Sequence, residues 1–434
     1  MSEVRASFRK VPATAANSRY CLPPQSSDNG RMSHLRSSNS SGLTRSRWTC
    51  ILFNLLGVFS AVAQSKPHAW VLSANESKID LTTGAARVSG PAGSDSLTLL
   101  DFTKFPPSVT HLPKISNSVL GPPSNVAITP EGRWAFVADS IRLDPTSPGK
   151  WLPNRFIHIL DLSSTPPRVV GQGESGDQPS GLAITPNGRM LLAANRAGGS
   201  VTAFRFAEGR LEKLAEISLG LPADEVSDVG MAPDGRRAFV SVRLRSHLRE
   251  LKIEGETVTA TERKFSSYGR PYRVQVTPDN ALVLTAGEGF GNGADTDLLS
   301  ILDLEANPPR TTDYIPLGRA PETLELSPDG RWLVVVLMNG SNLAPTDPHR
   351  GNHGQIVVLE REGRSFKRRQ TLSVGPIPEG AIFTPDGRHV VVQCHPEKRL
   401  WLFEVTRSGL RDTGKRIEVP GMPSGLGTLA RGRR

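Results

Sequence analysis

Several acidic, basic and imidazole side chains lie in short segments between apolar stretches, where they could take part in catalysis. Hydrolysis of a carboxylic ester needs a base that activates water and a cation or donor that stabilises the oxyanion. Glu288 and His395 are candidates for the base, and Arg243 and Arg273 are candidates for the oxyanion site. These four residues form the predicted catalytic set.

A second group of polar residues has the side chains that bind oxygen-rich small molecules. Arginine in particular binds phosphate or carboxylate groups through two parallel hydrogen bonds. The predicted ligand-binding residues are Asp139, Asn195, Arg196, Asn339, Glu322 and Glu379. The alternative is that all these groups only hydrate loops and pair with one another.

Patterns for a metal ion, a cofactor or a serine nucleophile are incomplete. His349 and His353 share a loop, but no third ligand is identifiable. Asp295-Thr-Asp297 lacks the remaining ligands of a calcium loop. The glycine-rich segment 287–293 is not followed by a helix that would bind phosphate, and no Gly-x-Ser-x-Gly elbow occurs. The sequence therefore predicts neither a metal nor a cofactor.

A repeated turn reveals the elements that must position these residues. Its six copies are Thr129-Pro-Glu-Gly-Arg133, Thr185-Pro-Asn-Gly-Arg189, Ala232-Pro-Asp-Gly-Arg236, Thr277-Pro-Asp-Asn280, Ser327-Pro-Asp-Gly-Arg331 and Thr384-Pro-Asp-Gly-Arg388. Proline presets φ, Asp or Asn caps the turn, and glycine accepts the left-handed conformation. Apolar strands flank each copy, and two further strands follow it, the last one more polar. Four strands in a unit of about 50 residues are typical of a β-propeller blade.

The two ends of the chain supply a seventh blade. Met422–Gly427 reads as a first strand with nothing after it, whereas Ala69–Ser73 reads as a second strand with nothing before it. Ser96–Phe102 and the segment from Phe105 read as the third and fourth strands. The predicted fold is therefore all-β, a seven-bladed β-propeller of four-stranded blades. One C-terminal strand and three N-terminal strands form a clasp that closes the ring and leaves no open sheet edge.

The turn-and-strand unit resembles the repeat of YVTN-type propellers and of the seven-bladed lactonase family, which includes 6-phosphogluconolactonase-like proteins. The resemblance covers residues 67–430, and its tetrapeptide is replaced by segments such as Phe136-Val-Ala-Asp139. It implies the propeller fold and, for function, hydrolysis of a lactone. The signature residues belong to turns and strands, so the resemblance does not select an activity.

Second-to-third-strand loops and the segments leading into first strands share one end of a propeller, where most candidate residues gather. Four of these loops are long, at residues 75–95, 140–155, 288–297 and 338–354. Long loops in a compact repeat are usually functional or disordered.

The N-terminal segment differs in composition from the rest. Residues 1–47 are rich in Ser, Asn, Arg and Pro and are expected to be a disordered extension. The apolar run 48–63 follows two arginines and ends in small residues, which predicts a signal peptide cleaved near Ala63. A buried helix or a short anchor is the alternative, and Met32 is an alternative start. The prediction is a periplasmic or secreted protein.

The net charge and the cysteine content relevant to function are those of the chain without residues 1–63. The net charge of +10 falls to +4, because residues 1–63 hold eight basic and two acidic residues, so nucleic acid is not an expected partner. Cys394 is then the single cysteine. We expect a monomer without a spanning segment. Its partner is either a small molecule, such as a lactone or sugar acid, or an envelope protein or glycan.

Two functions stay open on this evidence. The first is an exported lactone hydrolase, for which 6-phosphogluconolactone is a poor substrate because that pathway is cytoplasmic. The second is a non-enzymatic binding propeller of the cell envelope.

Overall fold

The described part of the chain, residues 68–289 and 293–431 of a computed structural model, forms a ring of seven four-stranded antiparallel sheets. The innermost strand of each sheet contacts that of the next, so the ring is closed around a channel. We number the blades from 1 to 7 and count the strands of each blade from the channel outward. The N-terminal extension and the predicted signal peptide lie outside the described residues.

The N-terminal strands contribute to blade 1 and to a loop above it. They are β1 (Trp70–Glu76), β2 (Ile79–Asp80), β3 (Arg87–Val88), β4 (Ser96–Asp101) and β5 (Ser108–Pro113). Blade 2 contains β6 (Val126–Ile128), β7 (Trp134–Leu143), β8 (Trp151–Asp161) and β9 (Arg168–Glu174). Blade 3 contains β10 (Pro179–Ile184), β11 (Met190–Asn195), β12 (Ser200–Ala207) and β13 (Arg210–Ser218).

Blade 4 follows a single 3₁₀ turn at Pro222–Asp224 and has a second one at Arg243–Arg245. Its strands are β14 (Val226–Met231), β15 (Arg237–Val242), β16 (His247–Glu254) and β17 (Thr257–Ser266). Blade 5 contains β18 (Arg270–Val276), β19 (Leu282–Glu288), β20 (Asp297–Asp303) and β21 (Arg310–Gly318).

Two further blades and one strand complete the ring. Blade 6 contains β22 (Pro321–Leu326), β23 (Trp332–Leu337), β24 (Gln355–Glu362) and β25 (Ser365–Ser373). Blade 7 contains β26 (Ala381–Phe383), β27 (His389–Cys394), β28 (Arg399–Thr406) and β29 (Gly409–Glu418). The last strand is β30 (Met422–Thr428).

The clasp predicted from the sequence is confirmed. Blade 1 has the strand order β30, β1, β4 and β5, so its first strand comes from the C-terminus and its other three come from the N-terminus. Leu426 of β30 is buried in one apolar cluster with Val71 and Leu100 of the neighbouring strands. Gln393 of blade 7 donates a hydrogen bond to the Gly425 carbonyl over 2.9 Å, which joins the clasp to the preceding blade.

The repeated turns share their backbone hydrogen bonds, and five of the six add a bond to a Thr or Ser hydroxyl, which explains their sequence. In the first turn, the Trp134 amide donates to the Thr129 hydroxyl over 3.1 Å, and the Gly132 amide donates to the Thr129 carbonyl over 2.9 Å. Gly132 has a φ of 77°, where a side chain is strained. Asn280, the one replacement of this glycine, has a φ of 58°, which asparagine tolerates better than most residues.

One predicted loop is shorter than expected. The segment 140–155 was assigned to a long loop, but β7 extends to Leu143 and β8 begins at Trp151. Arg142 pairs with Leu152 in this extension, and Ile141 is buried beside Ile79 of the loop above blade 1. The extension is stable because that loop supplies an apolar surface against which it packs.

Candidate functional site at the loop end of the ring

A pocket of about 650 Å³ lies at the end of the ring where the first strands begin. We call it the upper pocket, and its volume is in the range of small-molecule sites. Its polar lining residues are Gln178, Arg196, Glu225, Tyr272, Glu322, Asn342 and Glu379. The loop that holds β2 and β3 reaches over the pocket and contributes Leu81 and the segment 84–86 to its lining.

The floor of the upper pocket is built around Tyr272 and two arginines. Arg196 donates one hydrogen bond to the Tyr272 hydroxyl over 2.9 Å and another to Glu225 over 2.8 Å. Arg243 donates to the same Glu225 oxygen over 2.8 Å. The guanidinium carbons of Arg196 and Arg243 lie 5.6 and 5.4 Å from the centroid of the Tyr272 ring, within cation–π range.

Glu288 extends this floor into a chain of alternating charges. Its carboxylate lies 3.5 Å from Arg243 and 3.8 Å from Arg270. The predicted base and one predicted oxyanion arginine are therefore in contact. Since Arg243 also contacts Glu225, it is held between two carboxylates, and its orientation is fixed before any ligand arrives.

Glu322 and Glu379 are the carboxyl groups of this site whose protonation is most perturbed. Burial raises the pKa of Glu322 to about 8, with Arg243 opposing the shift and Glu288 adding to it. Burial, followed by the nearby Glu322 charge, raises the pKa of Glu379 well above its ordinary value. Glu379 is only 2% exposed, and its Oε1 has no hydrogen-bond partner among the described residues. Perturbed carboxyl groups that line a pocket are a typical sign of a functional site.

Tyr272 stays a hydrogen-bond donor at neutral pH. Burial raises the pKa of its hydroxyl to about 12, although Arg196 favours the ionised form. Its oxygen accepts the N–H of Arg196, so the phenolic proton is available to a group in the pocket.

The loop over the pocket is anchored by buried charges. Lys78 forms an ion pair with Asp95 and donates to the Asn117 carbonyl over 2.6 Å, and both charged side chains are almost fully buried. Glu76 lies 4.0 Å from the Lys78 ammonium, and burial raises its pKa to about 8. Farther along the loop, Leu81 packs against the apolar cluster that contains Met338.

Five of the ten sequence-predicted site residues belong to the upper pocket or its floor. Arg196, Glu322 and Glu379 line the pocket, and Arg243 and Glu288 join the floor through their contacts with Glu225 and with each other.

His395 and Arg273 lie elsewhere. His395 is fully buried, with Nδ1 3.0 Å from the Pro423 carbonyl, and burial lowers its pKa to about 4. It is therefore neutral at pH 7. Arg273 faces the channel on the other side of β18, where it forms a 2.7 Å ion pair with Glu325. Neither residue lines the upper pocket.

Three predicted ligand-binding residues have hydrogen-bond partners in neighbouring strands and loops. Asp139 accepts hydrogen bonds from Ser116 and Asn154, each over 2.8 Å. Asn195 is fully buried and bonds the hydroxyl groups of Ser175, Ser200 and Thr202. Asn339 accepts a hydrogen bond from Arg319. None of the three residues lines the upper pocket.

Sequence reasoning missed Glu225 and Arg270, and it did not single out Tyr272 among the residues that lead into first strands. An alignment of the repeats would have singled out Tyr272. Tyr272, Glu322 and Glu379 each lie five residues before the first residue of a turn, and this position is serine in the other four blades, at Ser124, Ser180, Ser227 and Ser424. Of the residues at this position, the three that replace serine line the pocket, and the four serines do not.

Two further findings concern metal-binding clusters and membrane-spanning helices. Within residues 68–289 and 293–431, no group of three or more His, Cys, Asp or Glu side chains is arranged to hold a metal ion. In the same ranges, no helix has the length and apolar character needed to cross a bilayer.

Comparison with known proteins supports the propeller fold. No protein-family model and no curated protein sequence matches the chain. A putative 6-phosphogluconolactonase from Bacteroides uniformis is similar in structure, with a TM-score of 0.61 and 16% identity over 83% of this chain and 99% of that one.

Two other solved structures are also similar to this chain. The periplasmic gluconolactonase of Pseudomonas aeruginosa is 20% identical, with a TM-score of 0.61 over 83% of this chain and 98% of its own. Hydrazine synthase of Kuenenia stuttgartiensis is 16% identical, with a TM-score of 0.54 over 73% of this chain and 92% of its own. At such identities the likeness shows the fold alone, since one fold hosts many activities.

Proposed function

We propose that this protein hydrolyses a lactone in the upper pocket, with Glu322 as the general base. The observation that carries the proposal is the carboxyl group of Glu322, which lines the pocket beside Tyr272 and has a pKa of about 8. A general base works best when its pKa lies near the working pH. At pH 7, about one tenth of Glu322 is ionised, and this fraction rises as the pH approaches 8.

The reaction needs no covalent enzyme intermediate. The Glu322 carboxylate accepts a proton from water while the water oxygen forms a bond to the lactone carbonyl carbon. The bond between that carbon and the ring oxygen then breaks, and the leaving oxygen takes the proton from Glu322. The product is the open hydroxy acid, and the base is restored.

Tyr272 and the arginines are suited to the charge that develops on the carbonyl oxygen. The phenolic proton of Tyr272 is free to bond the oxyanion, because Arg196 already donates to the phenol oxygen. Arg196 and Arg243 lie against the ring and add positive potential in a partly buried site, where electrostatic stabilisation is strong. Glu225 and Glu288 act as positioning residues for the two arginines.

The proposed base differs from the one first expected. Glu288 is held by Arg243 and Arg270, and His395 lies outside the upper pocket, so Glu322 replaces both in this role. The likeness to two proteins named as lactonases supports the reaction class. The apolar segment 48–63 supports export, as an inference from sequence alone, and favours a substrate found outside the cytoplasm.

The test is a hydrolysis panel of sugar and alkyl lactones with the purified chain and two variants. Glu322→Gln removes the base while keeping the shape of the side chain, and we expect kcat/KM to fall at least ~100-fold. Glu216→Gln, on the outermost strand of blade 3, is the matched control and should stay within about twofold of the parent. After subtraction of spontaneous hydrolysis, kcat/KM should rise about tenfold per pH unit below pH 8 and level off above it.

The proposal is rejected if the parent protein hydrolyses no lactone faster than the Glu322→Gln variant does. Two further variants, Arg243→Ala and Glu288→Gln, test the oxyanion-stabilising role of the arginine and the positioning role of the carboxylate separately. Loss of activity in Glu288→Gln with an unchanged Glu322→Gln would return the base to Glu288.

A binding function without turnover is the second candidate. The pairing of Arg196 and Arg243 with carboxylates favours it, since an arginine already neutralised offers less to a transition state. Saturable binding of a lactone by calorimetry, with no hydrolysis, would select this alternative.

A further inference from the structure

Apolar side chains surround the charged floor of the upper pocket. Six of them come from separate places in the ring: Leu81, Leu120, Trp151, Leu244, Met338 and Ile377. They reach the pocket from the loop above blade 1, from the segment before blade 2, from the β8 strand start, and from loops of blades 4, 6 and 7. The pocket is therefore amphipathic, with polar groups at its base and apolar groups on its walls.

Packing fixes most of these walls. Leu81, Leu120 and Trp151 are partly buried against the cluster of Ile79, Val119 and Ile141. Leu81 also packs against Met338 and Ile377, so one leucine of the covering loop joins the walls on two sides of the pocket. The apolar surface is thus held in place by the loops and is present before a ligand binds.

Leu244 is the wall residue that the fold does not require. It is 42% exposed on the short 3₁₀ turn next to Arg243, and it belongs to no apolar cluster of the described residues. Leu221, in the segment that leads into blade 4, is 62% exposed and does not line the pocket. The two leucines form a matched pair for experiment.

A sugar lactone fits such walls poorly. Each of its ring hydroxyl groups would leave water without a hydrogen-bond partner on the apolar side chains, which is unfavourable. Outside the charged floor, Gln178 and Asn342 are the polar side chains among the described lining residues. An alkyl or aryl substituent, in contrast, would bury its surface against Leu81, Trp151 and Leu244.

We infer that the substrates are lactones with an apolar substituent, whose ring carbonyl meets Tyr272 while the substituent lies along the walls. The inference rests on the proposed function, and it specifies the substrate class of the same pocket. The volume of about 650 Å³ accommodates a lactone ring together with a side chain of several carbons.

The test compares δ-lactones of five to ten carbons with glucono-δ-lactone, using the full chain. We expect kcat/KM to rise about fourfold per added methylene, which corresponds to ~0.8 kcal/mol each. We expect Leu244→Ser to reduce kcat/KM for the longest lactone about five- to tenfold and to have a smaller effect on kcat/KM for the unsubstituted ring. Leu221→Ser should follow the parent with every substrate. These fold-changes correspond to roughly the burial of one or two methylene groups.

Binding of the corresponding lactams, which resist hydrolysis, separates this inference from the proposed reaction. Faster turnover of glucono-δ-lactone than of the alkyl lactones would keep the lactonase and overturn the apolar substrate class. If no lactone is hydrolysed but lactam affinity rises with chain length and falls in Leu244→Ser, the apolar ligand class stands and the reaction fails. If neither hydrolysis nor lactam affinity depends on chain length, or if Leu221→Ser matches Leu244→Ser, the inference is wrong.

Discussion

The two ends of the ring are built on different principles. At the turn end, six copies of one hairpin repeat the same hydrogen bonds, and Thr or Ser supplies the bonding hydroxyl in five of them. At the loop end, the connecting segments differ in length and sequence from blade to blade. The glutamates whose pKa burial raises, Glu76, Glu322 and Glu379, belong to the loop end.

This difference separates the part of the molecule that specifies the fold from the part that can carry chemistry. Residues that satisfy one another's hydrogen bonds stabilise the turn end and leave little reactivity there. At the loop end, Glu379 keeps a buried oxygen without a partner among the described residues. Such a local conflict is unfavourable for stability and is expected where a ligand completes the site.

The largest expected effect comes from removing the clasp, on which both ends depend. Deletion of residues 421–434 removes β30, uncovers the edge of β1 and exposes the cluster around Leu426. We expect loss of the cooperative thermal transition, measured by circular dichroism and calorimetry, together with loss of any pocket activity. Removal of residues 432–434 alone is the control. A deletion variant that melts within a few degrees of the parent would show that the ring closes without β30.

A smaller effect is expected from the ion pair that anchors the covering loop. Lys78→Met leaves Asp95 buried without its cation, and we expect a loss of about 3–5 kcal/mol in the free energy of unfolding. Lys252→Met breaks an exposed ion pair with Glu254 and should change stability by less than ~1 kcal/mol. Urea unfolding measures both. Equal effects would mean that the loop end is no more dependent on buried charge than the outer surface.

A third effect is a difference in pH dependence between the two ends. Burial raises the pKa of Glu76 to about 8, so the fold favours its protonated form. Its stabilising contribution is complete below pH ~4.5 and is lost as the pH rises towards 8, by up to ~1.4 kcal/mol per pH unit. Glu76→Gln should therefore flatten the decline in the free energy of unfolding between pH 5 and 8.

Asp279 at the turn end supplies the opposite case. Partial burial works against the shift, but hydrogen bonds from Arg361 and Thr277 lower its pKa to about 2. Its contribution is present above pH ~4 and is lost only as the pH falls towards 2, so Asp279→Asn should not alter the slope between pH 5 and 8. The same slope change in both variants would remove the electrostatic distinction between the ends.

Much of the architecture could be predicted from the repeat because its information is local. A turn such as Ser327-Pro-Asp-Gly-Arg331 contains its own hydroxyl, its own fixed φ and its own glycine, so the sequence determines the hairpin directly. The clasp followed because the first strand at Met422 lacked a second strand and the strand near Trp70 lacked a first one. These local signals, together with one unpaired strand near each end of the chain, were enough to predict the closed ring.

The candidate site could be predicted only in part. Arg243 and Glu288 were expected to meet, and they lie 3.5 Å apart. Arg273 was expected near them because it lies in a segment leading into a first strand. Successive side chains of a strand point to opposite faces, so Arg273 faces the channel instead and pairs with Glu325. His395 appeared to be a surface base because nothing in its local sequence shows that the covering loop and β30 bury it.

The sequence by itself determined the ring, the number of blades and the position at which Tyr272, Glu322 and Glu379 replace serine, because periodic patterns and turn chemistry are local properties. Tertiary structure alone decided that Glu225 joins two arginines, that burial moves the pKa of Glu322 to about 8, and that six apolar side chains from distant loops form one wall. The physical reason is that burial and electrostatic coupling depend on which blades are neighbours in the closed ring, and no single blade contains that information.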